Sequence, residues 1–273
     1  MAISPQDFDY IASLVRERSA IVLEHGKEYL AESRLTPVAR GLGLSTLGEL
    51  VSKLRSEPRG SLSSRVIEAM TTNETSFFRD LQPFEALRTT IFPELLKKRA
   101  AERTLNLWCA ASSSGQEPYT IAMVLREHFP QLCEWRIRFI ATDISTQMLQ
   151  RCKDGIYSQL EVNRGLPAKY MVKYFEKRGT EWQVHKQLRD MIEFTEMNLA
   201  GHWHALPQFD VVFIRNVLIY FDLATKREIM GKIKKLLRTD GCMFLGGAET
   251  TLNVDEGFRR EAADKTFVYR LVP

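Results

Sequence analysis

Apolar side chains recur at helical spacing along the first quarter of the chain. Phe8, Ile11, Ala12 and Val15 fall at i, i+3, i+4, i+7, and so do Leu47, Leu50, Val51 and Leu54, so residues 5 to about 70 are predicted to form short amphipathic helices. Thr46 followed by Glu49 has the layout of a capping box. From about residue 103 compact apolar runs replace the stripes: Leu105 to Ala111, Ile137 to Ala141, Val211 to Ile214 and Met243 to Leu245. Helical stretches separate them at Pro118 to Phe129, Ser145 to Lys153 and Leu223 to Leu237, with Pro118 suited to a first helical position. That alternation predicts a parallel sheet with covering helices. Residues 158–197 break the alternation, because Phe175 to Arg178, Trp182 to His185 and Ile192 to Glu196 read as short strands around a Gly179-Thr180 turn. They are predicted to form a small antiparallel insertion. No internal repeat or low-complexity tract is visible.

Composition narrows the class. A chain of 273 residues with 44% hydrophobic content buries a sizeable core. No apolar run approaches the roughly 18 residues that span a bilayer, and the start, Met1-Ala2-Ile3-Ser4-Pro5-Gln6-Asp7, lacks the layout of a secretory signal. A cytoplasmic location without membrane insertion is therefore expected. Cys109, Cys133, Cys152 and Cys242 stand far apart with no C-x-x-C pair and read as reduced core thiols. His128, His185, His202 and His204 have no cysteine or acidic neighbours at ligand spacing, so no metal is expected. A net charge of +4 is too small for this length to imply nucleic acid. Between residues 34 and 66, six bases (Arg34, Arg40, Lys53, Arg55, Arg59, Arg65) face two acids (Glu49, Glu57), which suits either an acidic partner or an ordinary solvated helical face.

The candidate chemistry lies in three places. Thr71 to Asp80 is hydroxyl-rich and closed by Phe77-Phe78-Arg79, a poor core segment and a good lining for a charged ligand. The first apolar strand runs into Ala110-Ala111-Ser112-Ser113-Ser114-Gly115-Gln116-Glu117-Pro118, a small-residue loop opening a helix where open α/β sheets bind ligands. A dinucleotide binder would carry G-x-G-x-x-G here, whereas Glu117 in the first turn repels phosphate and suits a cation. The second strand ends at Asp143, placed either to accept ribose hydroxyls or to cap the helix that begins at Ile144. The strand Phe209 to Ile214 delivers Arg215 and Asn216 to its carboxyl end, where polar side chains favour binding.

Four blocks, Thr71 to Asp80, Trp108 to Met123, Ala141 to Ser145, and Phe209 to Asp222 followed by Gly246-Gly247-Ala248-Glu249, together resemble the CheR-type chemotaxis receptor methyltransferases. The resemblance covers nearly the whole chain, and Thr-Asn-Glu-Thr-Ser-Phe-Phe-Arg with Arg-Asn-Val-Leu-Ile-Tyr-Phe is its most specific pairing. It implies an α/β fold: a Rossmann-like class I methyltransferase domain over 73–273, preceded by a small all-helical domain over 1–72 with a receptor-facing surface, and a β-subdomain inserted at about 158–197. It also implies transfer of a methyl group from S-adenosylmethionine to receptor glutamates, leaving S-adenosylhomocysteine. By that likeness Asn73, Thr75, Arg79, Glu117, Asp143, Asn198, Leu199, Arg215 and Asn216 contact the donor. The implied partner is the cytoplasmic helical region of a chemoreceptor, with a receptor C-terminal peptide on the β-subdomain, and the chain is expected to act as a monomer.

A glutamate carboxylate is ionised at neutral pH and attacks without a general base, so catalysis reduces largely to alignment. Arg79 and Tyr220 are the candidates to orient the incoming carboxylate or the donor, although Tyr220, between Ile219 and Phe221, equally suits a core aromatic. Phe77 and Phe78 read as packing residues. A nucleic-acid amino methyltransferase would show an Asn/Asp-Pro-Pro-aromatic run where this chain has Arg215-Asn216-Val217-Leu218. The non-enzymatic alternative is a module that senses the donor for a partner.

Overall fold

The structure is a computed structural model that describes every residue except Arg59; nothing is described of the Cys133 side chain either. Arg59 of the basic count and the Cys133 thiol therefore lie outside the described residues. The chain forms two compact units, Met1–Thr72 with Tyr220–Thr225, and Asn73–Ile219 with Lys226–Pro273. Among the described residues no helix is long and apolar enough to cross a membrane.

The first unit packs four helices, α1 (Pro5–Ser19), α2 (Glu28–Gly41), α3 (Leu47–Ser56) and α4 (Ser61–Met70). Phe8, Ile11 and Val15 of the first stripe meet Leu47, Leu50, Val51 and Leu54 of the second, with Leu35 and Val66 completing the core. Side-chain capping explains the starts of α1 and α3. The Ser4 hydroxyl accepts the Asp7 N–H at 3.2 Å ahead of α1, and Thr46 accepts the Glu49 N–H at 3.1 Å ahead of α3. The Glu49 carboxylate reaches back one residue further than a regular capping box, to the Ser45 N–H at 2.8 Å. Segment Tyr220–Thr225 joins this unit through a Val22 N–H to Tyr220 carbonyl bond of 3.0 Å and an Arg16–Asp222 ion pair of 2.9 Å.

The second unit opens with α5 (Gln82–Ala86), continuous through a wider turn with α6 (Phe92–Lys98), and then builds its sheets. Strands β1 (Thr104–Ala110) and β2 (Arg136–Asp143) flank α7 (Gln116–His128), and α8 (Thr146–Asp154) follows β2. The insertion contains β3 (Ile156–Ser158), α9 (Gln159–Asn163), α10 (Ala168–Tyr174), β4 (Phe175–Arg178), β5 (Glu181–Val184) and α11 (Lys186–Arg189). Then come β6 (Ile192–Glu196), β7 (Phe209–Ile214), α12 (Leu223–Leu236), β8 (Leu237–Leu245), β9 (Phe258–Ala263) and β10 (Thr266–Leu271). The main sheet runs β6-β2-β1-β7-β8-β10-β9, and a second, antiparallel sheet runs β3-β5-β4. Central β7 is buried at every position, as a strand covered on both faces must be.

Three expectations need correction. Ile192 to Glu196 is no part of the insertion: β6 pairs in parallel with β2, Phe139 opposite Ile192, so the antiparallel portion is Ile156 to Val184. The sheet is mixed, because β9 and β10 form a hairpin whose β10 pairs antiparallel with β8. Helix α7 starts at Gln116, which leaves Pro118 third in the helix; no donor is lost there, because the first-turn N–H groups lack helical partners anyway.

Candidate active site

Strand order reverses at β1, whose successor β2 lies on one side and whose later neighbour β7 lies on the other. Loops leaving β1 and β7 therefore border a crevice at the carboxyl ends of the strands. The β1 loop is locally strained, with Ala111 and Ser113 at φ 54° and 50° in the left-handed region. Tertiary bonds hold it there: Ser112 N–H to the Thr142 carbonyl (2.9 Å), Tyr157 Oη to the Ser114 carbonyl (2.6 Å), and Ser113 Oγ to the Asn73 carbonyl (2.8 Å). Gly115 has φ 94°, and a Cβ there would sit 2.9 Å from Cys152 Sγ and 3.0 Å from Tyr157 Oη, so only glycine fits.

Asp143, at the tip of β2, is 6% exposed. Its Oδ2 accepts the Ser113 N–H at 2.8 Å and its Oδ1 the Ser145 N–H at 2.9 Å. The cap of α8 is Ser145, whose hydroxyl accepts the Met148 N–H at 3.2 Å. The Asp143 carboxylate thus ties the β1 loop to the β2 tip and to the residue that caps α8.

Glu117 and Arg215 come together although 98 residues separate them. Arg215 Nη1 donates to Glu117 Oε2 at 2.5 Å, while Nη2 donates to Asp80 Oδ2 at 2.8 Å and to the Arg79 carbonyl at 3.2 Å. The Arg215 side chain is 1% exposed, against 12% for Glu117 and 55% for Asp80. The sequence reading leaves the Glu117 charge for a ligand alone; here it is shared with a guanidinium. Two carboxylates on one guanidinium still leave one net negative charge. The buried Cys109 thiol donates to Glu117 Oε1 at 3.3 Å, and burial, followed by the Glu117 charge, pushes that thiol far above its ordinary range.

The signature stretch lines the same unit. Phe78 and Asp80 also have left-handed φ, 50° and 56°, and the Phe78 N–H donates to Thr120 Oγ1 at 3.2 Å. Phe77 packs edge-on against Tyr157 and Phe175, and Phe78 against Phe84, so both are core residues, in line with the sequence reading. Arg79 Nη1 donates to the Glu74 carbonyl at 3.0 Å, and Thr75 is half-buried. The Met197 N–H bonds the Asp143 carbonyl at 2.9 Å, which brings Asn198 and buried Leu199 beside the β2 tip. Asn216 follows β7 with φ 58°. Tyr220 groups with the first unit. Sequence reasoning missed the roles of Asp80 and Glu249, the latter accepting backbone N–H groups of the β7 loop. Their only signal was membership of the blocks quoted above.

Family models describe both parts of the chain. The CheR methyltransferase SAM binding domain matches residues 73–267, and the CheR methyltransferase all-alpha domain matches 6–71. The chain belongs to the CheR methyltransferase family. Among curated CheR relatives, chemotaxis protein methyltransferase Cher2 of Pseudomonas putida is 37% identical over 275 residues, covering 99% of either chain. Chemotaxis protein methyltransferase 1 of Pseudomonas aeruginosa is 38% identical with the same coverage. The Escherichia coli chemotaxis protein methyltransferase is 33% identical over 94% of this chain and 89% of its own. The chain is thus an S-adenosylmethionine-dependent methyltransferase, and the charges at its strand ends fit that cofactor. Asp143 places a carboxylate at the tip of β2, and the Asp80–Arg215–Glu117 group sets two carboxylates against one guanidinium, a charge balance compatible with a molecule that has ammonium and sulfonium centres.

Proposed function

We propose that this chain transfers a methyl group from S-adenosylmethionine to glutamate side-chain carboxylates of chemoreceptors, giving glutamate methyl ester and S-adenosylhomocysteine in sensory adaptation. The observation that carries the reading is the Asp80–Arg215–Glu117 cluster, which suits a cation and opposes a phosphate. The receptor substrate follows from the relatives, each called a chemotaxis protein methyltransferase.

Residues have separate tasks in this reading. Asp143 takes the ribose hydroxyls and Glu117 the donor ammonium, with Asn73, Thr75, Asn198, Leu199, Arg215 and Asn216 completing the donor's surroundings. Bound donor supplies a methyl carbon made electrophilic by its sulfonium. The acceptor glutamate, with an ordinary pKa near 4.3, arrives ionised, so no residue has to remove a proton. Arg79 orients the incoming carboxylate. Alignment of oxygen, carbon and sulfur contributes most of the rate, on the order of 7–11 kcal/mol for a well-held pair.

Residues 1–72 act as the receptor-facing domain and 73–273 as the catalytic domain. The three-stranded sheet takes a receptor C-terminal peptide by strand addition; support comes from β4 lying at the edge of that sheet. The chain works in the cytoplasm as a monomer. Incubation with methyl-labelled donor and receptor cytoplasmic fragments tests the reaction: the label should enter the receptor and be released by mild base, as an ester requires. Label that resists base, or no transfer from a protein that binds donor, rejects the assignment.

A further inference from the structure

We infer that Glu249 is a positioning residue for methyl transfer, holding the end of β7 in the shape that presents Arg215 and Asn216 to the donor. The inference rests on the donor-site reading above and adds a residue which that reading leaves without a role.

The geometry is specific. Beyond their last shared rung, Ile214 opposite Leu245, parallel strands β7 and β8 have no further backbone ladder. The Glu249 carboxylate takes over from it. Its Oε2 accepts the Asn216 N–H and the Gly246 N–H, each at 2.7 Å, and its Oε1 accepts the Val217 N–H at 2.9 Å and the Ile219 N–H at 3.3 Å. Four main-chain donors from two loops thus converge on one side chain that is 9% exposed. Asn216 sits among them with φ 58°, in the left-handed region that Asn adopts more readily than most L-residues. Gly246 allows the approach: a Cβ there would stand 2.8 Å from Glu249 Oε2 and 2.6 Å from Asn216 Nδ2.

Only a carboxylate meets this demand, since both of its oxygens accept and neither donates. Glutamine has nearly the same shape, yet it would turn an NH2 group toward two N–H donors. Buried donors left without an acceptor relax, and the Asn216 N–H, held at 2.7 Å, is among the first to lose its partner.

The test compares Glu249→Gln, Gly246→Ala and Asn216→Ala with the wild-type chain. S-adenosylhomocysteine affinity is read by calorimetry, and donor KM and kcat with a receptor fragment. Glu249→Gln should weaken S-adenosylhomocysteine and raise donor KM together by about 10- to 100-fold, while kcat at saturating donor falls no more than about threefold. Gly246→Ala, which keeps the carboxylate but crowds it, should shift the same two constants in the same direction, and it decides the matter if Glu249→Gln does not fold. If folded Glu249→Gln and Gly246→Ala bind as wild type while Asn216→Ala is weakened, the inference is overturned and the donor site stands. A lowered melting temperature with unchanged affinity of the folded protein counts as that same refutation. If Asn216→Ala itself binds normally, the donor-site reading at β7 fails, and the inference with it.

Discussion

Replacing Glu117 by glutamine isolates the charge on which donor recognition depends. The side chain keeps its length and one carbonyl oxygen for Arg215, which also retains Asp80 at 2.8 Å, so the fold should lose no more than about 2 kcal/mol. The local charge changes from −1 to zero. For a cation about 5 Å away at an effective dielectric constant near 20, one unit charge contributes roughly 3 kcal/mol. Arg215 already offsets part of that field, so the net loss should be about 1.4–2.8 kcal/mol, a rise of roughly 10- to 100-fold in Kd. Calorimetry with both S-adenosylmethionine and S-adenosylhomocysteine locates the cation being read. Equal losses mean that Glu117 faces the ammonium common to both; a loss confined to the methylated form means that it faces the sulfonium. Exposed Asp80 should matter less, so Asp80→Asn costs about threefold or less. Glu117→Gln binding both ligands within about twofold of wild type would refute the electrostatic argument.

Three further outcomes follow from the structure. Gly165 has φ 92°, and a Cβ there would fall on the Phe77 carbonyl oxygen, so Gly165→Ala should destabilise the chain by about 1–3 kcal/mol in urea unfolding. Arg99, with its side chain 7% exposed, pairs with fully buried Asp210 at 2.7 Å; Arg99→Ala leaves that carboxylate only the Asn106 N–H at 2.8 Å and Arg238 at 3.6 Å and should cost about 3 kcal/mol, with donor affinity of the folded protein unchanged because β7 starts at the far end of the sheet from the crevice. Burial, helped by Arg88 and Lys169, lowers the His128 pKa from its ordinary 6.5, so the unfolded chain takes up the proton first. Its contribution to stability is complete above about pH 6.5 and declines as pH falls below that value, a slope that His128→Gln should flatten in melting curves.

Periodicity located both helix stripes and the four apolar runs because each is a local pattern that burial on one face, or on two, writes directly into neighbouring residues. Strand β6 shows where this stops. Ile192 to Glu196 has the length and partial alternation of any edge strand, and its pairing with β2 depends on residues about fifty positions earlier. The β9–β10 hairpin was masked by its charges, since Phe258-Arg259-Arg260-Glu261 looks polar while only Phe258 and Ala263 of β9 are buried. Within the site, Asp143 was legible from its place at a strand tip. The pairing of Arg215 with Glu117 and Asp80 was not, because it joins the end of β7 to the first turn of α7 and to the segment before α5, 98 and 135 residues away, a distance no local pattern spans.

The central claim is that carboxylates at the strand ends select a cationic nucleoside and reject a phosphorylated one. Titrating the wild-type chain in the calorimeter with S-adenosylhomocysteine and, separately, with ATP and NAD tests it most directly. Saturable binding of S-adenosylhomocysteine with no measurable heat from either phosphate compound is the expected result; a phosphorylated nucleotide that binds while S-adenosylhomocysteine does not would contradict the account.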